Sequence, residues 1–131
     1  MRRIFFTSLA VVLLSSLGLA GRAQAQTVTG QAELGILQPV VKIEGKEVVT
    51  TIKVKNLSKG SIVGLKVDEY WYDKDGNPIP GDSKRLSKPL APNAQATIVL
   101  RTPRNAKMDR NNYVFSHANG TVRATVYAKL D

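Results

Sequence analysis

Glu47-Val48-Val49-Thr50-Thr51-Ile52-Lys53-Val54-Lys55-Asn56 decides the fold class. Val48, Thr50, Ile52 and Val54 share one phase, while Thr51, Lys53 and Lys55 share the other. That period of two belongs to a strand with one buried and one wet face. Upstream, Gly35 to Glu44 reads as a strand with Pro39 inside it, joined to Glu47 by a Gly45-Lys46 turn. Proline cannot donate to a ladder, so this segment is expected at a sheet edge or at a point where a strand switches sheets.

Downstream, the same kind of strand recurs between turn residues. Ile62 to Asp73 places Val63, Leu65, Val67 and Trp71 in one phase and Lys66, Asp68, Tyr70 and Tyr72 in the other. Glu69 falls in the apolar phase, the mark of a bulge, a core rim or a partly buried carboxylate paired with a base. Asp73 to Pro78 is a turn, with Asp and Asn bonding their own backbone and Gly76 supplying positive φ. A weak strand around Ser83 to Lys88, a strand over Ala94 to Thr102 and a surface loop over Pro103 to Asn111 follow. Asn112 to Ala118 and Thr121 to Leu130 then form a hairpin about Asn119-Gly120, both of which tolerate positive φ.

Seven strands at this spacing predict an all-β, seven-stranded immunoglobulin-like antiparallel sandwich over residues 34–131, with Trp71 packed between its sheets. Residues 26–33 are polar and small and read as a flexible N-terminal segment. Residues 1–25 read as a signal peptide. Arg2 and Arg3 precede an apolar stretch from Ile4 to Leu14, and Ala23-Gln24-Ala25 fits the small-x-small cleavage rule. Polar residues interrupt the run before it reaches the roughly 20 apolar residues of a membrane span. An exported protein, periplasmic or extracellular, with no stable membrane span after cleavage is the expectation.

Three basic residues lie in this leader; the remaining 106 residues carry 16 basic and ten acidic side chains, a net charge of +6. Such a surface favours anionic surroundings, although the charges form no block. Nucleic acid is not an expected partner, because the basic residues are dispersed and the protein leaves the cytoplasm. The chain has no cysteine, so disulfides, thiolate catalysis and Cys-ligated metals are excluded and the core must hold the fold unaided.

Thr51-Ile52-Lys53-Val54-Lys55-Asn56, Gly64-Leu65-Lys66-Val67 running into Trp71-Tyr72-Asp73-Lys74-Asp75-Gly76, and Leu90-Ala91-Pro92-Asn93 together resemble the FxLYD-type domains. These are immunoglobulin-like modules of bacterial envelope and secreted proteins. The similarity covers Glu47 to Leu100. It departs at Asn93, where the family favours glycine, and at Trp71, which replaces a smaller aromatic. The resemblance implies a fold and a location, and brings no catalytic residues.

Chemistry is sparse. The single histidine, His117, adjoins Ser116, and neighbours in a strand point to opposite faces, so they form no nucleophile–base pair. His117 reads as a structural residue. Asp73, Asp75 and Asn77 alternate like the start of a calcium loop, but Gly76 sits one place early and no Glu follows at the required position. No cofactor and no metal site are expected, and the protein is not expected to be an enzyme. Catalysis by carboxylates from separate loops, such as Glu69 and Asp109, is a remote third reading.

What remains is a surface. With the strand containing Trp71, the penultimate strand and the last strand adjacent in one sheet, Lys66, Tyr70 and Tyr72 would share a solvent face with Arg123, Tyr127 and Lys129. Tyrosines among cations suit a sugar ring, an anionic glycan or a protein edge; tyrosine also simply favours strands. The sequence therefore points to a non-catalytic exported binding or interaction module of the bacterial envelope. An envelope protein or an anionic glycan is the expected partner. The alternative is a structural or assembly subunit that pairs through an edge strand.

Overall fold

A computed structural model describes residues 26–131; the signal peptide expected over residues 1–25 lies outside the described residues. The described chain is all-β, with no helix. It forms β1 (Ala32–Leu37), β2 (Val40–Glu44), β3 (Glu47–Asn56), β4 (Lys66–Tyr72), β5 (Pro78–Arg85), β6 (Gln95–Pro103), β7 (Arg110–His117) and β8 (Gly120–Tyr127). The strands belong to one mixed sheet that curls into a half-barrel. Eight strands replace the expected seven because the segment around Pro39 divides into β1 and β2. Both halves stay on the edge of β3 that faces away from β6: Val54 pairs Ile36 and Ala96, and Thr51 pairs Val40 and Val99. Pro39 thus interrupts a strand without sending it to another sheet.

The sheet is not purely antiparallel either. β1 and β8 pair in parallel over six positions, from Ala32–Val122 to Leu37–Tyr127. β8 reaches β1 past a short turn that does not hold it on β7. The hairpin closes between His117 and Gly120, so its central residues are Ala118 and Asn119, and neither has positive φ. Turns with negative φ at both centres splay the flanking strands instead of matching their twist. β7 and β8 accordingly pair only at Ser116–Thr121 and His117–Gly120 before β8 departs to β1.

β5 begins at Pro78, immediately after the Asp73–Asn77 turn. Opposite Glu69 it carries an extra residue: Asp68 pairs Ser83 and Tyr70 pairs Pro80. Gly81 in this bulge is obligatory, since a Cβ there would collide with the Glu69 carbonyl. The expected flexible segment, residues 26–33, makes main-chain bonds along its length. Val28 N–H donates to Ser61 O (2.9 Å), Ser61 N–H to Gln26 O (2.7 Å) and Gly30 N–H to Asn119 O (2.9 Å). β1 opens inside this segment, at Ala32.

The core lies between β3, β6 and the adjoining β1 on one side and β4 on the other, with Leu34, Ile52, Ile62, Leu65, Val67, Ile98 and Leu100 almost fully buried. Each such aliphatic side chain contributes about 1.5–3 kcal/mol on leaving water. The alternation of β3 holds: Val48, Thr50, Ile52, Val54 and Asn56 are all buried. Asn56 Nδ2 donates to the carbonyls of Gly60 and Leu90 (both 2.8 Å), and its Oδ1 accepts from Ser58 N–H (2.8 Å). A polar group is thereby made compatible with full burial. Trp71 is also buried, but at one end of the interior, outside the aliphatic cluster, and not at its centre.

Candidate functional site: the β2 edge and the polar end of the interior

The two ends of the interior differ in chemistry because the inward positions of four strands change character together. Toward the end marked by Ile52–Ile98 and Val67–Phe115 the registers bring apolar residues level with one another. Toward the other end they align Thr50–Leu100, Val48–Thr102, Glu69–Tyr113 and Trp71–Asn111. Thr50 Oγ1 donates to Glu69 Oε2 at 2.7 Å, and Asn111 Nδ2 donates to the same oxygen at 3.2 Å and to Tyr113 Oη at 2.8 Å. Desolvation, followed by the Glu69 charge, raises the Tyr113 phenol above its ordinary value of 10.0. The phenol therefore stays protonated where the carboxylate needs it neutral.

Glu69 is only 2% exposed, and its Oε1 has no partner among the described residues; the same is true of Trp71 Nε1 and Thr102 Oγ1. Buried polar atoms are nearly always paired, so three at one end of one small domain distinguish that end. Of the three readings its phase allowed, Glu69 lies opposite a bulge and is a buried carboxylate, but the expected base is not its partner: a hydroxyl and an amide are. Asp109, the other carboxylate of the catalytic reading, is exposed and ion-paired with Arg110 at 3.8 Å. The chain does not bring it into the Glu69 cluster.

Just outside this end lies a shallow concavity of about 230 Å³, lined by Trp71 and Val48, by Arg104 and Met108 of the β6–β7 loop, and by Val41 and Ile43 of β2. All five residues of β2 are exposed, and Val40, Val41 and Ile43 are 50%, 42% and 59% accessible. The strand pairs only β3; its other edge has no partner among the described residues. β8, which flanks β1 on that side, ends opposite Leu37, before β2 begins. An open edge with apolar side chains on both faces is a template for pairing with another chain.

The basic-aromatic residues are distributed as follows. β4, β7 and β8 are adjacent in the expected order. Lys66, Tyr70 and Tyr72 share the outer face of β4, where Lys66 pairs with Asp68 (3.5 Å) and the Arg110 guanidinium lies 5.6 Å above the Tyr72 ring. Arg123 and Tyr127 sit on the part of β8 that has left β7 for β1. Arg123 reaches Glu33 (3.9 Å), and the Tyr127 ring packs over Gly35 beside Leu57. Lys129 follows the end of β8, near Lys55 and Leu130. Lys66, Tyr70 and Tyr72 are therefore brought together, as are Arg123 and Tyr127, but the splayed hairpin separates the two groups.

His117 is held at its strand end: Nε2 lies 2.7 Å from the Gly30 carbonyl, and Nδ1 accepts from Asn119 N–H at 3.3 Å. Asp73 is engaged by its own turn, Oδ1 accepting from the N–H groups of Asp75 (2.9 Å) and Asn77 (2.8 Å). These bonds, that from Asn77 foremost, lower its carboxyl below 3.8.

Sequence reasoning missed the β2 residues and Thr50, Thr102, Asn111 and Tyr113 as members of one site. A signal for the first was present: Val40, Val41 and Ile43 violate alternation, leaving apolar groups on both faces. None existed for the second group, which only the registers assemble. No family model, curated protein or solved structure matches the chain.

Proposed function

We propose that the chain is a non-catalytic interaction module of the bacterial envelope that engages another polypeptide by adding a strand at β2. The observation that carries this reading is the exposed, unpartnered β2 edge with Val40, Val41 and Ile43 in solvent. Main-chain groups on such an edge supply affinity, and pockets for alternate side chains supply selectivity. The Trp71 concavity lies on the face to which Val41 and Ile43 point.

The setting follows from the leader and from the resemblance to FxLYD-type domains. Asn93, which departs from that family in residue type, has φ 66, the conformation glycine adopts freely. The finer fold, an immunoglobulin-like sandwich, belongs to the same proposal. The β3–β6 and β5–β4–β7 groups are its two layers, and β8 passes from the second to β1, which adjoins the first. A non-catalytic role is supported by the engagement of His117 and Asp73 in local bonds. An anionic glycan is the weaker ligand class, because the tyrosines and cations divide into two groups.

A photo-crosslinking residue placed at Ile43 in cells is expected to give covalent protein adducts, and the same residue at Tyr70 none. Adducts at Tyr70 or Tyr127 with none at Ile43 would overturn the β2 assignment.

A further inference from the structure

We infer that the occupant of the β2 edge is a second copy of this chain, added antiparallel about a two-fold axis through Ile43. The inference rests on reading β2 as a docking edge and commits that reading to one partner. Glu44 and Glu47 flank a two-residue turn, with Gly45 at φ 60. The pair flanking such a turn is hydrogen-bonded, and alternation along the ladder assigns the main-chain groups of Glu44, Lys42 and Val40 to β3. Those of Val41 and Ile43 are left on the open side.

A two-fold axis perpendicular to the sheet must keep side chains on their own faces, so each of the five residues of β2 defines one register. Centring on Val40 sets Val41 against Pro39, which has no N–H to give, and centring on Glu44 sets two glutamates directly opposite each other. Centring on Lys42 sets the two lysines directly opposite each other, and like charges there are unfavourable. Centring on Val41 sets Ile43 against Pro39, which has no N–H to give. Centring on Ile43 sets Ile43 against Ile43 and places Lys42 opposite Glu44 twice, one pair on each side of the axis. The sequence of the edge is self-complementary in charge in that register alone. The lane is open, since β8 occupies it only as far as Leu37. The two Ile43 side chains then cover each other beside the Trp71 concavity, with Val41 of each copy as diagonal neighbour of Ile43 in the other. A patch that pairs with itself closes a dimer and exposes no further edge.

The test is a charge swap on the purified protein, followed by sedimentation over a wide concentration range. Wild type is expected to show a concentration-dependent dimer. Lys42→Glu and Glu44→Lys should each weaken it by tenfold or more, and the double variant K42E/E44K should recover the wild-type Kd within threefold. Both positions are exposed, so circular dichroism is expected to stay unchanged. A double variant no better than the singles would overturn this register. A protein monomeric at every concentration, yet crosslinked at Ile43 to a different polypeptide in cells, would overturn the second copy and leave strand addition standing. A dimer that survives Ile43→Lys unweakened would overturn both.

Discussion

Two of the unpaired strand edges of this sheet, those of β5 and β2, are built differently. At β5 the chain places Pro78, Pro80, the Gly81 bulge and Asp82, then Lys84 and Arg85. Asp82 Oδ2 also accepts from the main-chain N–H of Arg101 in β6 at 2.8 Å, so a side chain bridges the seam where the curled sheet almost meets itself. Prolines, a bulge and charges are the devices by which natural proteins prevent edge-to-edge pairing. β2 has Pro39 before its first residue and then Val-Val-Lys-Ile-Glu, with two charges but neither a proline nor a bulge within the strand. This contrast is what supports the proposal that β2 is the edge that takes a partner.

The contrast can be broken most forcefully at Gly81. Gly81→Val puts methyl groups against the Glu69 carbonyl, and overpacking of this kind costs about 3 kcal/mol. Thermal unfolding should show the loss, together with new association through the displaced β5. Asp82→Ala removes only the bridge. It should cost about 1 kcal/mol in denaturant titration and speed hydrogen exchange at the Arg101 amide. Ile43→Lys, on the unprotected edge, should change monomer stability by no more than about 0.5 kcal/mol while abolishing association, so the two edges separate by which quantity moves.

The smallest effect concerns the turn that launches β5. The Asp73 pKa is lowered in the folded state. Its contribution is therefore present above the ordinary carboxylate value and lost as pH falls through the folded one. A carboxyl titration followed by NMR should give a midpoint below 3.8, with the Asn77 amide shifting in parallel.

Much of the fold was legible. β3, β4 and β6 follow their alternation because each has one face in the core and one in water, which is what a period of two reports. β5 was misplaced because Pro78, Pro80 and Gly81 argue against a strand, and only pairing with β4 holds them extended. The hairpin before β8 was located, but its closure on Ala118-Asn119 was not. Asn119 lacks the positive φ that an Asn-Gly turn favours, and Gly120, at φ 155, already lies in β8 against the N-terminal segment, where a Cβ would meet the Gly30 carbonyl. That displacement divided the basic-aromatic face.

By itself the sequence determined the all-β class, the absence of thiol chemistry, most strand positions and the inward orientation of Glu69. These depend on neighbours along the chain: alternation, turn chemistry and residue inventory. Tertiary structure alone decided that β1 runs parallel to β8, that Thr50, Asn111 and Tyr113 surround one carboxylate, and that β2 lacks a second neighbour among the described residues. Each of these is a pairing between residues far apart in the chain, and the free energy of such a pairing depends on every other strand being in place.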